Sequence, residues 1–77
     1  MNITIEYCTQ WNYEPRALSL RDELLGLFDV EQVELIESSG GVFEITVNGD
    51  LIFSKKELGR FPNLNEITNL VERFGLI

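Results

Sequence analysis

The sequence predicts an α/β fold, a two-layer sandwich in which a mixed four-stranded sheet carries two helices on one face. The predicted element order is β-α-β-β-β-α. Several short segments alternate apolar and polar residues with period two, the signature of half-buried strands. Two longer segments repeat apolar residues at helical spacing. Asn48-Gly49 stands between two of the alternating segments and marks a hairpin. A helical connection makes the first two strands parallel, whereas the hairpin makes the last two antiparallel. The expected sheet order is 2-1-3-4.

The first strand covers residues 2 to 8. Ile3, Ile5 and Tyr7 share one face, and Thr4 and Glu6 share the other. A helix follows over about residues 12 to 27. Pro15 is tolerated there because the first turn needs no N–H at that position. Ala17, Leu20, Leu24 and Leu27 form its stripe, widened by Leu18, Leu25 and Phe28. The second strand runs near residues 30 to 37, where Val33 and Leu35 alternate with Glu34 and Ile36 interrupts the pattern.

Ser38-Ser39-Gly40-Gly41 breaks the chain before the hairpin of residues 42 to 47 and 51 to 55. Phe43, Ile45 and Val47 lie on one side of it, and Glu44 and Thr46 on the other. Residues 55 to 62 form a loop carrying Lys55, Lys56 and Arg60. Asn63 is the expected cap of the last helix, with Glu66 completing a capping box. Leu64, Ile67, Leu70, Val71 and Phe74 give that helix its apolar stripe, and Gly75 stops it. The sheet face away from both helices shows Thr4, Glu6, Glu34, Glu44 and Thr46 to water. No repeat or linker divides the chain, so residues 1–77 are expected to form a single domain.

Charge and composition narrow the function. The net charge of −7 repels a phosphate backbone, so no nucleic-acid partner is expected. With no histidine, the commonest general base near neutral pH is missing, as are Ser-His and Cys-His nucleophile pairs. One cysteine without histidine also speaks against a structural zinc site, and no metal is expected. No apolar run approaches the ~20 residues of a membrane span, and the N-terminus has no secretory pattern. A lone cysteine cannot form an intrachain disulfide framework, so a reducing, cytoplasmic location is the expectation. The oligomeric state stays open.

Cys8 is the candidate catalytic residue. It ends the first strand, and a helix follows shortly after it, which is the layout of a thioredoxin-type site. The positive end of that helix would favour an accessible thiolate. Strand polarity gathers residues 8 to 11, 38 to 41 and 54 to 60 at the same rim, the ligand edge of an open α/β sheet. Thr9, Gln10, Trp11, Gly40, Gly41, Lys55, Lys56 and Arg60 are therefore the candidate binding residues. The cations would favour a thiolate and hold a ligand carboxylate. The glycine pair either admits a partner's backbone or simply makes a turn. Trp11 is either tucked under the loop or exposed as a contact residue.

The motifs carry a resemblance. Tyr7-Cys8-Thr9-Gln10, Tyr13, Pro15-Arg16-Ala17-Leu18-Ser19-Leu20 and Glu23-Leu24-Leu25 resemble the front of selenoprotein W-like proteins. Gly40-Gly41-Val42-Phe43-Glu44-Ile45, Asn48-Gly49, Ile52-Phe53-Ser54-Lys55-Lys56 and Gly59-Arg60-Phe61-Pro62 resemble the back of the same proteins. These belong to the Rdx group, with selenoproteins T and H. The resemblance implies a thioredoxin-like fold, a Cys-x-x-Cys or Cys-x-x-selenocysteine motif, and thiol redox work linked to antioxidant defence. It implies no bound cofactor, with glutathione as a co-substrate. Cys8 matches the first motif position. Trp11 stands at the second, and Gly40-Gly41 stand where thioredoxins carry a cis-proline.

Two function classes follow. In one, Cys8 forms a mixed disulfide with glutathione or a protein thiol, and an external thiol releases it. In the other, the fold is a redox-inactive protein- or peptide-binding module that uses Trp11, Gly40, Gly41, Phe61 and the basic loop as a recognition edge.

Overall fold

The computed structural model describes residues 1–75. β1 (Asn2–Cys8) pairs in parallel with β2 (Gln32–Ser38) and antiparallel with β3 (Phe43–Val47). β4 (Asp50–Ser54) pairs with β3 and completes the expected order β2-β1-β3-β4. Ile5 stands opposite Leu35 and Ile45, which places the apolar sets of neighbouring strands on one face. On the other face Thr4 stands opposite Glu34 and Thr46, and the two threonine hydroxyls hydrogen-bond. Glu6 and Glu44 are also directly opposed, an unfavourable like-charge pair. The Glu44 carboxylate is engaged elsewhere: it accepts from Ser54 Oγ at 2.5 Å and from the Lys56 N–H at 3.4 Å.

The hairpin turn has the geometry its sequence demands. Asn48 (φ 51°) and Gly49 (φ 86°) both lie in the left-handed region, as a two-residue primed turn requires. Asn48 also ties the turn to β1. Its N–H donates to the Asn2 carbonyl at 2.7 Å, and its Oδ1 accepts from the Asn2 N–H at 2.8 Å.

α1 (Glu14–Leu27) begins slightly later than the sequence predicts, with Pro15 in its first turn. Its buried residues are Ala17 and Leu24; Leu27 and Leu25 are 64% and 46% exposed. The predicted stripe is thus too wide, because a helix resting on one sheet with nothing above it buries only one line of side chains.

A one-turn helix, α2 (Lys55–Leu58), replaces the first part of the predicted loop. Ser54 Oγ accepts from the Glu57 N–H at 3.1 Å, and the Gly59 N–H closes the turn onto the Lys55 carbonyl at 2.7 Å. Ser54-x-x-Glu57, with Gly59 beyond it, was the available sequence signal.

α3 (Glu66–Gly75) starts three residues beyond Asn63. Half of the capping box forms: Glu66 Oε1 accepts from the Asn63 N–H at 2.9 Å, whereas the Glu66 N–H goes to the Asn63 carbonyl rather than to its side chain. Leu64 precedes the helix, so it leaves the predicted stripe and is 89% exposed. Ile67 and Val71 are buried and join Ala17 and Leu24 of α1 against Ile3, Ile5, Phe43 and Ile45 in one apolar core. Both long helices therefore cover the same face. No helix among the described residues is long and apolar enough to cross a membrane.

Candidate functional site

Cys8 is the last residue of β1, and backbone bonds pin it where three segments meet. Its N–H donates to the Val42 carbonyl at 2.9 Å, and the next N–H, of Thr9, donates to the Ser38 carbonyl at 3.0 Å. Thr9 Oγ1 reaches the same carbonyl at 3.3 Å. The end of β2 and the approach to β3 are thus fastened to the rim, as strand polarity predicts.

The thiol is not accessible as expected. Cys8 has 0% exposure, although it does not belong to the packed apolar cluster. Burial pushes its thiol up. The backbone N–H groups of Gly41, Trp11 and Gln10, and then the Lys55 ammonium, outweigh that and hold it below its ordinary value. The sulfur is therefore closed off from water yet ionises more readily than an ordinary thiol. α1 begins only at Glu14, and the amides named come from the turn before it, at Gln10 and Trp11, and from Gly41 in the approach to β3.

Trp11 and Gly41 form one unit. Gly41 is buried with φ 73°, and a Cβ there would lie 2.3 Å from Trp11 Cζ3. The indole occupies the space a side chain would fill, so at Gly41 the close approach comes from the chain's own tryptophan. Gly40 (φ 76°) has no atom within 4 Å of its would-be Cβ and serves the turn. Trp11 remains 57% exposed.

From Trp11 an aromatic run leads to β3. Its ring meets Tyr13 at 6.2 Å, Tyr13 meets Phe61 at 4.7 Å, and Phe61 meets Phe43 at 5.4 Å, all edge to face. Lys55 Nζ lies 5.6 Å from the Tyr13 ring and 5.3 Å from the Phe61 ring, and the Arg16 guanidinium lies 4.1 Å from Phe61. Sequence reasoning places Phe61 on this edge but does not find Tyr13 or Arg16. Their signal is local: Tyr13-x-Pro15-Arg16 puts a ring and a cation at the start of α1.

Only one of the three predicted cations acts on the thiol, and it is Lys55. Arg60 turns to Glu66, bonding at 2.7 and 3.1 Å, and its guanidinium stacks 5.7 Å from Phe53. Lys56 uses its backbone N–H at Glu44 and leaves an exposed side chain.

The Arg60 pair has its own consequence. Hydrogen bonding by Arg60, then the Asn63 N–H, pushes the Glu66 carboxyl from 4.5 down to about 2. A lowered folded value contributes stability above the unfolded value, lost as pH falls from about 4.5 toward 2. Arg60→Met is therefore expected to lower the urea midpoint, followed by circular dichroism, near neutrality, with the difference from the parent chain vanishing as pH falls from about 4.5 toward 2; equal midpoints near neutrality would show the pair to be inert.

Comparison with known proteins places this rim in a family. The Rdx family profile matches residues 2–73. The chain belongs to the Rdx family. The crystal structure of a selenoprotein W-related protein from Vibrio cholerae superposes with a TM-score of 0.89 at 37% identity, covering 95% of this chain and 94% of that one. Migration and invasion enhancer 1 of Bos taurus and of Mus musculus is 32% identical over 73 residues. That match covers 95% of this chain but only 64% of the length of those curated relatives. A SelT-like protein of Arabidopsis thaliana is 48% identical over 33 residues, which are 43% of this chain and 16% of that protein. The selenoprotein W-related fold agrees with the sheet order and helix placement seen here.

Proposed function

We propose that this Rdx protein is a cytoplasmic monothiol redox protein in which Cys8 forms a mixed disulfide with glutathione or a partner protein, contributing to cell redox homeostasis. The observation that carries this reading is the set of donors around the sulfur: three backbone amides and Lys55 favour the thiolate against burial. The Cys8 thiolate attacks one sulfur of a disulfide, forms a new S–S bond and expels the other sulfur as thiolate. The protein holds no second cysteine, so an external thiolate must attack the mixed disulfide and return Cys8 to its reduced state. Because the sulfur has no exposed surface, attack requires the segments packed around it to yield.

The test is incubation with glutathione disulfide, read by intact mass. One glutathione adduct is expected, absent in Cys8→Ser and reversed by excess reduced glutathione. No adduct, together with an alkylation pH profile that shows no depressed thiol, would sink the proposal.

A second reading, a binding module without redox chemistry, draws on the exposure of Trp11 and the burial of the Cys8 sulfur. On that reading Cys8→Ser preserves partner binding, whereas Trp11→Ala weakens it by ~2 kcal/mol.

A further inference from the structure

Away from Cys8, on the helix-covered face, a groove of about 460 Å³ runs between α1 and the segment from Phe61 to Thr68. Its size is that of a ligand-binding cleft. Leu20, Phe43, Phe61 and Ile67 make an apolar wall, and the exposed Leu64 extends it at the rim. The rim is otherwise polar. The side chains of Ser19, Asn63 and Asn65 line it and make no hydrogen bond among the described residues.

Its charges are ordered. Arg16 and Glu23 both line the groove from α1 and form no ion pair among the described residues. They are seven positions apart, two turns of one helix face, and hence about 10 Å apart along its axis. Arg16 is held at its end by Phe61, 4.1 Å from the ring. An extended chain in the polyproline II conformation turns the same face every three residues and rises about 9 Å between them.

We propose that this groove docks an extended peptide segment in which a carboxylate and a cation, three positions apart, bracket a large apolar side chain. The carboxylate meets Arg16, the cation meets Glu23, and the apolar side chain enters between Leu20, Phe61 and Ile67. The idle hydroxyl and amide groups of Ser19, Asn63 and Asn65 meet the peptide backbone. A fatty acyl chain would leave those groups and Glu23 without partners. A segment carrying both charges is locally neutral, so the −7 charge of the protein does not oppose its approach. This site is independent of the chemistry at Cys8.

The test uses the peptide acetyl-Gly-Lys-Ala-Phe-Glu-Gly-amide, added to the reduced, isotope-labelled full chain and followed by amide chemical shifts. Saturable shifts are expected at Ser19, Asn63, Asn65 and Thr68. Exchanging the peptide's Lys and Glu for Gln, or changing the protein by Arg16→Glu, should weaken binding about fivefold. Glu23→Lys should switch preference toward the peptide with Glu in place of Lys. Both substitutions are at exposed helical positions, and an unchanged amide spectrum elsewhere verifies the fold. Shifts outside the groove, no saturable binding, equal affinity for the Gln peptide, an unswitched Glu23→Lys, or decanoate filling the groove in the peptide's place would each overturn the proposal.

Discussion

Gly41→Ala is expected to lower the stability of the fold by about 2 kcal/mol and to open the Cys8 thiol to alkylation. Two separable effects contribute. The left-handed φ of 73° is strained for any residue with a Cβ. Independently, the new methyl carbon would stand 2.3 Å from Trp11 Cζ3, far inside contact distance, so one of them must move. The indole is more than half exposed and sits on a surface turn, whereas Gly41 is buried and fastened to the sheet through its neighbour Val42. The ring therefore swings away, and relief of the strained φ at residue 41 loosens the backbone N–H groups of residues 41 and 11 around the sulfur.

Alkylation with iodoacetamide across pH separates these consequences. The limiting rate at high pH should rise, because the sulfur is uncovered. The apparent thiol pKa should also rise, because an amide donor is lost. Combining Gly41→Ala with Trp11→Ala removes the clash but keeps the φ strain, so the double variant should be less destabilised than the sum of the two single changes. Unchanged melting temperature and alkylation profile in Gly41→Ala would show that the Trp11–Gly41 contact does not position the amides around the thiol.

The sheet was legible in the sequence because its signals are local and periodic. Ile3, Ile5 and Tyr7 share a face by strand geometry alone, and Asn48-Gly49 specifies its turn whatever surrounds it. The rim was legible as a place, since strand polarity decides which loops meet. Its interior arrangement was not. Trp11 lies on Gly41 across thirty positions of chain, and no period or cap links the two. Likewise, Lys55, Lys56 and Arg60 are equivalent as composition. They part company only when α2 winds the chain, leaving Lys55 beside Tyr13 and Phe61 while Arg60 reaches Glu66. The α2 turn itself was legible through Ser54 and Glu57, but charged residues beside a glycine read more readily as a loop. The lowered thiol value followed from none of these signals, because its donors include amides of three different residues and amides are the same in every sequence.

Phe43→Ala is expected to have the largest effect on stability, about 3 kcal/mol, at the lower end of the usual range for such truncations. Phe43 is 2% exposed on an interior strand and packs edge to face with Phe61. The full range for a buried phenylalanine includes the cost of an empty cavity. Here the lost ring borders the groove between α1 and the Phe61 segment, so the vacated space joins a cleft that water already reaches. The cost then reduces to lost burial and lost ring contact. Even so, a chain of 77 residues buries a limited core, and its net stability lies toward the lower part of the usual ~5–15 kcal/mol. Phe43→Ala should therefore remove a large share of it, seen as a lower urea midpoint at constant slope. Leu64→Ala, at an equally apolar but exposed position on the same groove, should shift the midpoint by no more than ~0.5 kcal/mol. If the two variants behaved alike, the groove wall at Phe43 would be a surface feature and the core would lie elsewhere. If Phe43→Ala instead exceeded ~5 kcal/mol, the space beneath Phe61 would be sealed and dry, leaving no open cleft for a peptide side chain.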